Sequence, residues 1–479
     1  MSSMRKLVPF LFLLPMAVYL VVSPGCANIV PPAGGPRDSL PPLLMDVTPP
    51  DSTRNFSGNR IVFTFDEYIE LQNVQSQLVV SPSLPINPDV NYRLNTVTVR
   101  FRDTLERNTT YTFDFGDAIR DFNEGNTLKG FNYTLSTGPY IDSLELRGKV
   151  LLAETGRVDT TLIVMLHTNP SDSAVFRDRP RYVTKLNSSG EFVFRNLPPR
   201  TFHVYALKDE SGTRRYMNDK QLFGFANDPV VTGTDAKPVT IYAYATASGS
   251  PAVIGALPTI GSGGRRTGGQ TADTRLKFQV NLLEGKQDLL NNLEFRFESP
   301  LRKFDSSLVT LYTDSTFQPA VATRSLDSAR RKLTIATTWK ENTLYHVILD
   351  KEFADDSTGK KLLKTDTVSF TTRKSSDYGS LRLKFRGLES ASNPVLQVIQ
   401  NNVIYLSAPL KQNEFYQLMF PPGEYELRIL LDENGNGVWD PGNFFEGRRQ
   451  PEIVRPVERK ITVRPNWQNE MEIQMTDDR

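Results

Sequence analysis

The stretch Leu431–Asn443, LDENGNGVWDPGN, places oxygen-bearing side chains at alternate positions: Asp432, Asn434 and Asn436, then Gly437, then Asp440. A twelve-residue calcium loop takes oxygens from its first, third, fifth, seventh and ninth residues, turns on a glycine at the sixth, and closes with a bidentate glutamate at the twelfth. The Val438 carbonyl fills the seventh place, but Asn443 stands where the glutamate belongs, and the preceding ELRILL reads as a strand. Two readings follow: a calcium site, or a metal-free loop held by Asx turns and left-handed glycines. Trp439 lies inside this loop. Its ring either stacks on a sugar or plugs a partner's pocket, or folds back over the end of its own domain.

Other candidate chemistry is sparse. Three histidines, His167, His203 and His346, lie far apart in strand-like runs, which disfavours a zinc or catalytic cluster. GSGGRRTGGQ at 261 lacks the Lys-Ser/Thr ending of a phosphate loop and reads as linker. The carboxylate pairs Asp355/Asp356 and Asp209/Glu210 fall at turns or strand ends and are expected to be solvated. No catalytic residue is assigned. With 56 Lys plus Arg against 54 Asp plus Glu, a net charge of +2, no basic surplus exists to bind nucleic acid.

The elements that would position these groups are strands. At 479 residues, with 10% aromatics and short Val/Thr-rich alternating runs such as NTVTVRF, TYTFDF and YELRIL, the chain reads as several all-β domains. It also repeats. Residues 106–130 align without gaps on 340–364, and NRIVFTFDE at 59 matches NNLEFRFES at 291. Residues 198–212 align on 421–435, with EFVF at 191 on EFYQ at 414. In the aligned first copy of the calcium-like loop, KDESGTRRYMN at 208 keeps Asp209 but has Arg214 where Gly437 stands, so a metal role would belong to one copy.

The repeats imply tandem antiparallel β-sandwiches in an A-B-A-B arrangement: A at 41–139, B at 140–247, A at 273–374 and B at 375–479. The Gly/Ser-rich linker 248–272 leads to the expectation that the halves move independently. Trp339 aligns with Leu105 and is expected in a core.

The N-terminus carries a signal peptide, 1–25, with Arg5 and Lys6 before a mainly apolar run from Leu7 to Val22. Cys26 is the sole cysteine, which rules out a disulfide within the chain. Gly25 and Cys26 resemble the end of a bacterial lipoprotein lipobox, although Ser23 departs from its usual aliphatic residue. The resemblance implies cleavage before Cys26 and lipidation there. Residues 26–40 form a Pro/Gly-rich tether spanning up to about 50 Å in extended form. Ala27 and Asn28 contain no retaining aspartate, which by the same resemblance favours the outer membrane and leaves the leaflet open.

The A units resemble SbsA-type bacterial Ig-like domains, on PPLLMDVTPPDST at 41, LERNTTYTFDF at 105 and FNYTLSTG at 131, with WKENTLYHVIL and VSFTT in the later copy. The B units resemble transthyretin-like, or carboxypeptidase-regulatory-like, sandwiches on GEFVFRNLPPRTFHVYAL at 190 and EFYQLMFPPGEYELRIL at 414. Arg200 replaces the usual glycine in the first copy. Together they resemble lipoproteins of the Bacteroidota. The anchor, the tether, the duplicated module pair and the missing chemistry lead to the expectation of a non-enzymatic, outer-membrane-anchored spacer or scaffold that meets envelope proteins, with no cofactor unless the loop takes calcium. The alternative is a glycan-binding surface lipoprotein using Trp439 and Tyr216.

Overall fold

The computed structural model describes residues 37–233, 236–246, 275–388 and 393–475. The signal peptide, Cys26, most of the tether and the linker 248–272 lie outside the described residues. The chain divides into two compact units at Ile141/Asp142. Hydrophobic cores drawn from residues 61–135, 146–243, 276–370 and 381–475 mark four successive sandwiches, the first in one unit and the other three in the second. Helix is confined, among the described residues, to two four-residue helices, Val74–Gln77 and Ala174–Arg177, and two 3-10 turns.

In the first sandwich, alternation does the work expected of it. Along Arg60–Phe65 the residues Ile61, Phe63 and Phe65 point inward and their neighbours outward. That strand lies in a four-stranded sheet ordered Leu44–Thr48, Arg60–Phe65, Thr96–Arg100, Asp89–Arg93. A second sheet, Asn132–Ser136, Thr110–Asp114, Val79–Ser81, supplies Tyr111, Phe113, Tyr133 and Leu135. Phe63 sits edge-to-face with Phe115, Phe131 and Tyr133 at 5.2–5.5 Å, the preferred geometry for aromatic rings in a core. The third sandwich repeats the scheme with Leu293, Phe295 and Phe297 on the matching strand. Trp339 is core, edge-on to Tyr345 at 5.0 Å, with its N–H donating to the Asn291 carbonyl.

The shared Asn-Thr-x-Tyr motif has a structural reason. Asn108 and Asn342 take left-handed φ values of 52° and 48°, where asparagine is among the best tolerated of the non-glycine residues. The turn then aims Thr109 N–H and Thr343 N–H at the hydroxyls of Thr137 and Thr372, at 3.0 and 2.9 Å. Those hydroxyls donate onward to the carbonyls of Glu106 and Lys340. Tyr111 and Tyr345 accept from the Glu106 and Lys340 amides.

The second and fourth sandwiches share one topology. Leu144–Leu152 pairs antiparallel with Glu191–Leu197 and parallel with Val239–Ala243; Gly379–Arg386 does the same with Glu414–Phe420 and Gln468–Gln474. Apart from these parallel closing strands, the strands of the two sandwiches pair antiparallel, as expected of antiparallel β-sandwiches. The facing sheets run Tyr182–Lys185, Ile163–His167, Thr201–Leu207, Phe223–Phe225 and Val403–Pro409, Pro394–Gln400, Gly423–Leu431, Ile453–Pro456.

Two expectations are corrected here. Asp355 and Asp356 are buried, not solvated: Asp355 pairs with Arg302 at 2.7 Å and accepts from Lys303 N–H, while Asp356 accepts from the Thr358 and Lys360 amides. The Arg302 guanidinium holds the Asp355 carboxyl below its ordinary range. The halves are also not independent, because the second and fourth sandwiches interlock. Val454 N–H donates to the Ala153 carbonyl at 2.8 Å, joining the edge strand of one to the strand end of the other. Beside it Arg157 pairs with Glu426 at 2.6 Å, and Gly156, at φ +66°, lies so close to Pro456 that a Cβ would approach within 2.3 Å.

Thr372→Val keeps the shape of the third-sandwich corner but removes a buried donor and acceptor. It is expected to cost about 1–3 kcal/mol in urea unfolding, with Ser at this position close to wild type.

Candidate functional site

The loop after Gly423–Leu431 is built around one buried carboxylate. Asp432 is 1% exposed; its Oδ1 accepts from Gly435 N–H at 2.7 Å and its Oδ2 from Gly437 N–H at 2.6 Å. Both glycines have φ near +77°, at +76° and +78°, so the chain curls tightly around the carboxylate. Asn434 and Asn436 each cap the amide two residues on, those of Asn436 and Val438, as Asx turns do. Their side-chain amides both donate to Asp440 Oδ2, at 2.6 and 2.7 Å.

Sequence reasoning missed Glu452. It is buried, and its carboxylate bridges the loop's two ends by accepting from the Glu433 and Asp440 amides, each at 3.0 Å. Burial pushes the Glu452 carboxyl up, and the nearby Asp432 and Asp440 add to the effect. No regular spacing links residue 452 to the loop, so nothing in the sequence marked it. The five residues proposed as calcium ligands are thus brought into one loop, and the side-chain oxygens of Asp432, Asn434, Asn436 and Asp440 accept from the loop's own donors. Among the described residues, no three His, Cys, Asp or Glu side chains gather as a metal-binding group.

Trp439 folds back. Its ring packs on Val395, Leu430 and Val454, and its N–H donates to the Glu452 carbonyl at 2.7 Å. It covers part of the outer face of its own sandwich's facing sheet, opposite the core residues Leu396 and Ile429.

Beyond Trp439 the same loop crosses to the second sandwich. There the outer face of the facing sheet carries Met165, His167, His203, Tyr205, Phe223 and Phe225, all buried. Phe444, 2% exposed, packs on Tyr205, Phe223 and Phe225 at 5.0–5.7 Å. Arg448 lies 5.7 Å over the Phe225 ring and pairs with Asp172 at 3.2 Å. Gln450 donates to the Phe225 carbonyl and to the Asn227 side chain.

Two histidines distant in sequence meet under this loop. His167 and His203 are cross-strand partners, and His167 stands edge-on to Tyr205 at 5.6 Å. Burial pushes His167 down to about 4 from an ordinary 6.5, against a partly compensating Asp178. Burial, followed by the charge of Arg448, also lowers His203, with Asp172 opposing. His167 Nε2 and His203 Nδ1 are buried without a hydrogen-bond partner. His346 lies apart, bonded to the Ser369 hydroxyl. The pair is a packed part of the seam, and among the described residues no third His, Cys, Asp or Glu joins it as a metal-binding group.

The seam opens at one end into a concave groove of about 540 Å³ lined by Phe176, Tyr216, Met217, Asn218, Asp219 and Phe445. Tyr216 is stacked between Phe223 at 4.4 Å and Phe445 at 5.9 Å; Phe445 meets Phe176 edge-on at 5.8 Å.

Residues 38–137 match the family model described as a bacterial Ig-like domain. No curated protein matches the chain in sequence. Among solved structures, the Bacillus anthracis TIE protein is 9% identical over 93% of this chain and 75% of its own, with a TM-score of 0.18. BcpA, the major pilin subunit of Bacillus cereus, is 7% identical over 70% of this chain and 99% of its own, with a TM-score of 0.16. The S-layer protein rSbsC is 11% identical over 87% of this chain but 54% of its own, with a TM-score of 0.15. Likenesses this distant say nothing of what the chain does.

Asp432→Ala removes the centre of the loop. It is expected to destabilise the fourth sandwich by about 2–3 kcal/mol and to release Trp439, seen as a red shift and increased quenching of tryptophan fluorescence. The histidine pair has a pH signature. Because the folded value of His167 lies below the unfolded one, its stabilisation is complete above pH 6.5 and is lost as pH falls towards about 4. The loss should approach about 3 kcal/mol in thermal or urea melts. His167→Leu should flatten that dependence.

Proposed function

We propose that the chain is a non-enzymatic spacer and scaffold of the bacterial cell envelope, anchored at the outer membrane by a lipid on Cys26. One observation carries the reading: the groups that look capable of chemistry are spent on holding sandwiches together. The calcium-like loop binds its own amides, and its continuation docks on a neighbouring domain. Two histidines are desolvated in that seam, and the Asp355/Asp356 pair is consumed by Arg302 and a turn. A surface of packed sandwiches, the second and fourth of them interlocked, is what remains. The bacterial Ig-like match over 38–137 is in keeping with such a role, although a shared fold does not itself supply a function.

The test is made in the native host. Mass spectrometry of the mature N-terminus is expected to find diacylated or triacylated Cys26, and Cys26→Ala to shift the protein out of the outer-membrane fraction. In-cell crosslinking should join wild-type protein to envelope partners, and protease shaving assigns the leaflet. An unmodified Cys26, or protein that stays monomeric and uncrosslinked, overturns the reading.

A further inference from the structure

The groove at the end of the seam is a built recess, assembled from two domains. Phe176, Tyr216, Met217, Asn218 and Asp219 come from the second sandwich, and Phe445 from the fourth. It continues the ring cluster that joins the two, since Tyr216 lies against Phe223 and Phe445 adjoins Phe444 at 5.1 Å. Stacking on both faces locks Tyr216, so the recess is held in shape before any ligand arrives. Yet Phe445 remains 52% exposed and Met217 62% exposed. The volume of about 540 Å³ lies within the range of small-ligand sites.

The polar border selects the class of ligand. Two common ligands lie flat on aromatic rings: a pyranose, through its C–H face, and a proline-rich segment. Prolyl residues carry carbonyl acceptors and lack N–H donors, and so offer nothing to the carboxylate of Asp219. A pyranose surrounds its apolar face with hydroxyls, each able to donate to Asp219 and to accept from the Asn218 side-chain NH2, whose carbonyl oxygen holds the Lys220 amide. The Asp219 carboxylate disfavours a uronate or phosphate beside it, while Arg177 lies over the Phe176 ring at 5.5 Å on the other side of the lining. We propose that this recess binds a neutral hexopyranose residue, stacked on Phe445, bordered by the edge-on Phe176 ring, and hydrogen-bonded at Asn218 and Asp219. The site is distinct from Trp439, and it needs the second and fourth sandwiches to be docked. It goes beyond the scaffold reading and stands whether or not Cys26 carries lipid.

The experiment uses the full mature chain and saturation-transfer NMR with methyl glycosides of glucose, galactose, mannose and N-acetylglucosamine, followed by titration of whichever responds. Saturable binding of at least one is expected, weakened about tenfold or more in Phe445→Ala. Because that change touches the seam, Asp219→Asn is the companion variant. It leaves the rings in place, should retain the neutral sugar, and should gain binding of the corresponding uronate. Absence of saturable binding by every neutral glycoside overturns the proposal, as does equal affinity in Phe445→Ala. Stronger binding of a polyproline peptide than of any sugar, or self-association through the groove that Phe445→Ala abolishes, overturns it too.

Discussion

A sheet in a sandwich has two faces, and the partner sheet covers only one. In the second sandwich the outer face of the sheet containing Ile163–His167 and Thr201–Leu207 carries Met165, His167, His203, Tyr205, Phe223 and Phe225. Left open, this would be a large aromatic surface in water, of the kind soluble domains rarely expose. Phe444 and Arg448, reaching across from the fourth sandwich, remove it from solvent. The positions of the loop, the histidine pair and the groove all follow from that cover.

The duplicated loops show how one copy became the donor and the other the recipient. In the second sandwich Asp209 accepts from Arg214 N–H at 2.9 Å, and Arg214 takes φ +54° where the fourth sandwich uses Gly437. The turn is preserved around the aspartate, but the chain beyond it differs. In the fourth sandwich the ion-like geometry of Asp432, Asn434 and Asn436 makes a stiff base from which residues 441–450 project. The same alternation of short polar side chains that surrounds a cation in a calcium loop here also satisfies a run of inward-facing amides.

Most of the strand pattern was legible, because burial alternates along a strand with period two and Ile61, Phe63 and Phe65 or Leu293, Phe295 and Phe297 display it directly. Asn108 and Asn342 were visible as a repeated motif, and their left-handed turns explain the repetition. What escaped depends on contacts between distant segments. A closing strand such as Val239–Ala243 looks the same whether its neighbour runs parallel or antiparallel. Glu452 belongs to the loop through space alone, and His167 meets His203 only through strand register. The buried pair Asp355/Asp356 looked like surface because charged residues usually are; Arg302 approaches from a strand some fifty positions earlier. Trp439 was open to two readings, and the backbone path beside Val454 decided for packing.

The reciprocal contacts between the second and fourth sandwiches create a closed circuit. The covalent chain travels from one to the other through the third sandwich, while Val454 N–H to Ala153, Arg157 to Glu426 and Arg448 to Asp172 connect them directly. Tension entering at Asp142 and leaving near Met475 therefore has a shortcut.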